Sequence, residues 1–304
     1  MPGTRRNALL LLHFTILIWG TTGILGKLIE QPTAHIVLVR VIIGAAGLLA
    51  YALLSRTPLM PIRKEIPNYV FTGVLIAAHW ITFYGAIKLS SASIAAACLS
   101  TSTLFTALME PLWFKRRILL YEVVLGAIVI AALALIFGLE MDHRMGILVA
   151  VLSSFLSAWF NIVNGVLIKR DNAVRIGFYE MFTVLIVMYA WAFATSDLPQ
   201  PIWNMPARDM WSLLALGLVC TTFAFVAGIA VMKVLTPFTV MLAVNLEPVY
   251  TIIIALLIWP ESETMRPGSY AGIALILICL FVNGWLQRRR PQAQIVEPDP
   301  LTQG

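Results

Sequence analysis

Residues 34–54 read AHIVLVRVIIGAAGLLAYALL, an apolar run broken only by His35 and a single charge, Arg40. A helix rises about 1.5 Å per residue, so about 20 residues cross the ~30 Å hydrocarbon core of a bilayer. This run is long enough to span, and it would carry Arg40 into the membrane. The same reading, bounded by charges, Pro and Gly, predicts ten spans at 9–28, 34–54, 68–88, 91–114, 119–139, 145–168, 174–194, 210–232, 237–259 and 268–286. What remains of the 304 residues is short loops and two tails, with no room for a soluble domain. The first run has only Arg5 and Arg6 before it and no small-residue cleavage site, so it reads as a span and not a removed signal.

Composition agrees. The chain is 60% hydrophobic and 12% charged, with mean hydropathy +0.88. Soluble domains carry roughly 45–50% apolar and about 25% charged residues. This excludes an ordinary soluble protein, a disordered chain and a nucleic-acid-binding domain. Cys98, Cys220 and Cys279 lie inside apolar runs and read as small buried hydrophobes. No His-Glu-x-x-His helix, phosphate-binding Gly loop or Asp-rich pair occurs, so no metal, cofactor or ATP drive is expected.

Lys and Arg favour the cytoplasmic side. With the N-terminus inside, the inner set is Arg5, Arg6, Arg56, Arg63, Lys64, Lys115, Arg116, Arg117, Lys169, Arg170, Arg175, Lys233, Arg288, Arg289 and Arg290. The outer set is Lys27, Lys88, Arg144, Arg208 and Arg266. Fifteen against five places both termini in the cytoplasm of a cell (inner) membrane protein. The tail 287–304, polar and Pro-rich, reads as disordered.

Ionisable groups inside a membrane are costly and point to function. Glu247 falls near the middle of the ninth span, followed by Pro248, which removes a backbone hydrogen bond and displaces the Val244 carbonyl. No basic residue is expected at its depth. Glu247 is the candidate for substrate binding and proton coupling, with His79, mid-way along the third span, beside it. Trp80, Phe83 and Tyr84 surround His79 in sequence and would form an aromatic cavity wall. Trp19, Trp159, Asn164, Ser102, Thr221 and Asn245 complete the candidate substrate site. Asn161 and Asn164 share one span, and at least one should face inward. Arg40, near the outer boundary, and Glu180, near the inner one, read as structural anchors. Arg40 would meet Glu30 or the carbonyl end of the first span. Glu180 would meet Lys169, Arg170 or Arg175. Pro248 is structural too.

The chain also repeats itself. Ala86-Ile87-Lys88-Leu89-Ser90 resembles Val231-Met232-Lys233-Val234-Leu235, and the same offset sets Ser100-Thr101-Ser102-Thr103 on Asn245-Leu246-Glu247-Pro248. Glu110-Pro111 stands a turn or two later than a symmetric partner of Glu247-Pro248 would. The halves are 9–139 and 145–286, after a tail 1–8. Five spans per half is an odd number, so the halves insert with opposite orientation, as inverted-repeat transporters do. Trp19-Gly20-Thr21 through Gly26, Arg40, Leu246-Glu247-Pro248 and Glu261-Ser262-Glu263 resemble the EamA-type members of the drug/metabolite transporter superfamily. The resemblance covers residues 9–286. It implies a ten-helix inverted-repeat permease, often an exporter of amino acids or small metabolites.

The reading is therefore an all-α polytopic membrane protein of ten transmembrane helices in two inverted five-helix repeats. It would be a secondary transporter of a small metabolite such as an amino acid, with alternating access. Its partners would be that metabolite and the lipid bilayer, not nucleic acid. A membrane scaffold, an ion-independent facilitator and an intramembrane enzyme using His79 as base are the alternatives.

Overall fold

The computed structural model describes residues 4–113, 120–235, 237–244 and 246–288. Asn245, the Lys115–Arg117 cluster and most of the C-terminal tail lie outside the described residues. Among those described, every regular element is helical. In chain order the helices are α1 (Arg5–Gly20), α2 (Thr22–Leu28), α3 (Thr33–Leu54), α4 (Ile66–Leu89), α5 (Ala92–Leu99), α6 (Ser102–Trp113), α7 (Leu120–Leu139) and α8 (Arg144–Leu167). There follow α9 (Ala173–Thr195), α10 (Ala207–Leu214), a wide π-helical segment (Ala215–Phe223), α11 (Ala224–Val231), α12 (Pro237–Val244), α13 (Leu246–Ile258), α14 (Pro260–Glu263) and α15 (Pro267–Arg288). Among the described residues seven helical segments are long and apolar enough to cross a membrane, and three shorter apolar helices accompany them.

Local chemistry sets the helix ends. Thr4, Ser91 and Asn172 accept backbone N–H bonds at the starts of α1, α5 and α9, using side-chain oxygens where a helix leaves its first donors unpaired. Pro67, Pro237 and Pro267 stand in first turns, where a missing N–H does no harm. Pro248, expected to break a span from within, lies on α13 three residues after Asn245, which is outside the described residues.

Among the described residues two rods are interrupted, at Thr21 and at Ser100–Thr101. Hydroxyls satisfy the loosened carbonyls of the preceding turn. Thr21 Oγ1 donates to Ile18 O at 2.7 Å, Ser100 Oγ to Ala97 O at 2.6 Å and Thr101 Oγ1 to Cys98 O at 2.7 Å. The π segment is closed the same way, by Thr221 Oγ1 donating to Leu216 O at 2.8 Å and Thr222 Oγ1 to Gly217 O at 3.0 Å. α3 packs directly on this segment. A Cβ on Gly44 would lie 2.6 Å from Thr221 Cγ2, so only glycine permits that approach.

The halves are tied together at both ends of the bundle. At one end Lys27 Nζ meets Glu263 Oε1 at 2.5 Å, and Glu263 also accepts the N–H groups of Ala92 and Ser93 at 3.2 and 2.8 Å. That puts a carboxylate on the positive end of α5. Burial raises the Glu263 carboxyl, but the bonds from Lys27 and Ser93 outweigh it and hold the group below the usual carboxylate range. Arg208 meets Glu30 there at 2.5 Å. At the opposite end Tyr69 donates to Asp171 at 2.5 Å, Tyr179 to Leu59 O at 2.8 Å, and Arg170 meets Glu65 at 3.5 Å.

Candidate functional site

Between the two tied ends lies a cavity walled by α1, α2, α3, α4, α6, α8, α11, α12 and α13, together with Leu99 of α5. Both halves of the chain contribute. It offers about 80 Å³ to water centres, against the ~10–15 Å³ that one water needs. Trp19, Trp80, Phe83, Phe160 and Phe225 supply aromatic walls. Arg40, His79, Ser102, Asn161, Asn164 and Glu247 supply the polar ones. A concave, ring-lined space with a few convergent polar groups is the usual form of a small-molecule site.

Arg40 is 4% exposed, and its guanidinium is fixed on three sides. Nε donates to Thr221 Oγ1 at 2.7 Å, Nη1 to the Tyr84 hydroxyl at 2.6 Å, and the plane lies 4.0 Å from the centre of the Trp80 ring. A guanidinium has five N–H donors, so most remain for the cavity. The anchor expected near the boundary is thus a cavity residue, and it does not meet Glu30, which pairs with Arg208. The expectation that Glu247 has no basic group at its depth fails for the same reason. Arg40 lines the same space, and its charge acts on Glu247.

His79 is 8% exposed. Its Nδ1 lies 2.9 Å from the Ser153 carbonyl. The Ser153 hydroxyl lies 2.8 Å from the same nitrogen; with Nδ1–H donating to the carbonyl and the hydroxyl proton going to His79 O, all three contacts are satisfied and Nε2 of the neutral ring is the acceptor that remains. Ser153 Oγ donates back to the His79 carbonyl at 3.0 Å, which fixes α4 against α8. Phe83 stacks on the imidazole at 6.1 Å and Phe160 tilts over it at 5.5 Å. Trp19 lies against Gly228 of α11, where a Cβ would come 2.5 Å from Cη2.

The candidates thus divide. Trp19, His79, Ser102, Asn164 and Glu247 come together on the cavity wall. Thr221 does not line it; it is buried behind Arg40 and holds that side chain. Trp159 packs edge-on against Phe71 and Phe155, away from the lining. Asn245 lies outside the described residues. Glu180 is fully buried and meets none of its expected partners: Arg175 pairs with Asp171 at 2.8 Å, Arg170 with Glu65, and Lys169 donates to Lys233 O at 3.5 Å. The cavity role of Arg40 was missed, and the signal for it was the four-residue spacing of Trp80 and Tyr84, which makes one aromatic face for a cation.

The profile of the EamA-like transporter family matches residues 6–138 and again 144–285. The chain belongs to the EamA-like transporter family. Two curated relatives come from Bacillus subtilis (strain 168). The uncharacterized transporter YoaV is 22% identical over 286 residues, 90% of this chain and 95% of that protein. The uncharacterized transporter YdfC is 25% identical over 255 residues, 82% of each chain. A crystal structure superposes with a TM-score of 0.69 over 94% of this chain and 100% of its own, at 17% identity, and shares the fold. This EamA-like protein is accordingly a membrane protein of a transporter family, acting on a small molecule.

Proposed function

We propose that this chain is a ten-span secondary transporter that exports small zwitterionic metabolites, amino acids foremost, across the cell membrane. One observation carries the reading: Arg40 from the first half and Glu247 from the second line one cavity whose other walls are aromatic. A buried cation and a buried carboxylate are each costly to desolvate without good partners. A zwitterion answers both, its carboxylate on the unused Arg40 donors and its amine on Glu247. His79 Nε2 accepts a further hydrogen bond, and Trp19, Trp80 and Phe83 take the apolar remainder.

The halves are inverted five-helix units, and alternating access follows from parting one set of ties while the other holds. The basic bias puts the Arg170–Glu65 end and both termini in the cytoplasm. The proton couples through Glu247: substrate amine and proton compete for one carboxylate, so loading one displaces the other. The test is a metabolite-wide comparison of efflux and uptake in cells with and without the chain. Export of amino acids or related zwitterions that depends on the chain supports the proposal. Chain-dependent movement of only uncharged or singly charged solutes overturns it.

A further inference from the structure

Glu180 is a carboxylate inside the bundle for which the mechanism has no use. It sits on α9, is 0% exposed, and neither oxygen has a hydrogen-bond partner of ordinary geometry. The polar side chains close enough to act on it are Thr72 of α4 and Asn164 of α8. Asn164 is itself 1% exposed with both amide atoms unbonded, and it lines the central cavity. Thr72 keeps its hydroxyl proton on Asn68 O at 2.8 Å. Unpaired polar atoms cost free energy when buried, and a lone carboxylate far more. Four of them sit together here.

Among the described residues the surroundings supply no counter-charge. On α4, Tyr69 stacks on Tyr179 and gives its hydroxyl to Asp171. α3 and α11 present Leu48, Phe225 and Val226 to α9 beside Gly177. On α9 itself the nearest cation is Arg175, five residues earlier and paired with Asp171. We propose that Glu180, with Thr72 and Asn164, is a second proton-binding site, joined to the central cavity through Asn164. A proton suits it better than a metal cation, because among the described residues one carboxylate, one amide oxygen and one hydroxyl fall short of the six or more oxygens a hard cation takes. When the cavity is wet, the carboxyl O–H bond breaks and its proton passes to water at Asn164, the electron pair staying on the carboxylate. Asn164 Nδ2–H and the Thr72 hydroxyl, turned from Asn68 O, then hold the anion. This goes beyond coupling at Glu247 and requires no particular substrate.

The test is infrared difference spectroscopy of the purified protein in lipid vesicles, titrated from acid to alkaline pH with and without sodium. The wild type should lose a protonated-carboxyl C=O band as pH rises. Glu180→Gln should lack that band, whereas Glu247→Gln should keep it. Thr72→Val and Asn164→Leu should each shift its frequency, which decides the matter if Glu180→Gln does not fold. A wild-type band set in Glu180→Gln, an Glu180 band that persists unmoved through the whole titration, or a band unmoved in both neighbour variants overturns the proposal. A sodium-dependent band replaces the proton by a metal ion and also overturns it.

Discussion

Gly228→Ala tests whether the Trp19 indole is a wall of the working cavity. The added Cβ would stand 2.5 Å from Trp19 Cη2 and 2.9 Å from Cζ2. Carbon atoms rest at about 3.5–4.0 Å, so the indole must retreat by roughly 1 Å. α11 is behind it and the cavity is in front, so it moves into the space the substrate uses. Overpacking of this kind costs about 1–3 kcal/mol. Charged against substrate binding at about 1.4 kcal/mol per tenfold, that is a loss of roughly 5- to 150-fold. The assay is efflux of the metabolite found by the cell comparison, with surface expression and thermal stability as controls. Trp19→Phe in the same chain removes the offending ring edge and should restore most of the transport. Unimpaired efflux in Gly228→Ala, or a loss that Trp19→Phe does not relieve, would refute the assignment of that wall.

Glu247→Gln keeps size and hydrogen bonding but cannot titrate. It should reach the membrane and abolish accumulation driven by a pH gradient, and wild-type pH dependence in this variant would remove the proton from Glu247. The Glu263 tie makes a pH prediction for stability. Because its folded-state carboxyl lies below the usual range, its contribution is present above the ordinary ~4.3 of a free Glu and is lost as pH falls through the lower folded value. Wild type should therefore melt above Glu263→Gln at neutral pH and converge with it in acid; a gap that widens in acid contradicts the tie. Single cysteines replacing Gly3, Arg116 and Pro300 should resist membrane-impermeant thiol reagents in intact cells, and labelling of any one reverses the orientation.

Much of the fold is legible in the sequence because membrane spans are written in apolar length, which depends on nothing distant. The predicted 34–54 is α3 (Thr33–Leu54), and 174–194 is α9 (Ala173–Thr195). What length cannot show is where a rod breaks, since at Thr21 and Ser100–Thr101 the loosened carbonyls are satisfied by hydroxyls that read as ordinary polar residues. Depth counted along one helix misplaced Arg40. A long side chain reaches well beyond its Cα, and the partners that draw it inward, Tyr84 and Thr221, are 44 and 181 residues away in the chain. Glu180 failed for a rotational reason. At about 100° per residue, Arg175 lies some 140° around the helix from it, so nearness in sequence was not a shared face. Thr221 was expected in the cavity, but it lies on the π segment and accepts from Arg40 Nε instead.

The central claim is that Arg40 and Glu247 together hold a zwitterion. Its most direct test is exchange in proteoliposomes, with labelled amino acid inside and three compounds offered outside: the same amino acid, its decarboxylated amine and its deaminated acid. The account predicts that only the intact zwitterion drives exchange in the wild type, and that Arg40→Gln and Glu247→Gln each abolish it. Equal exchange with the amine or the acid alone, unchanged in both variants, would contradict it.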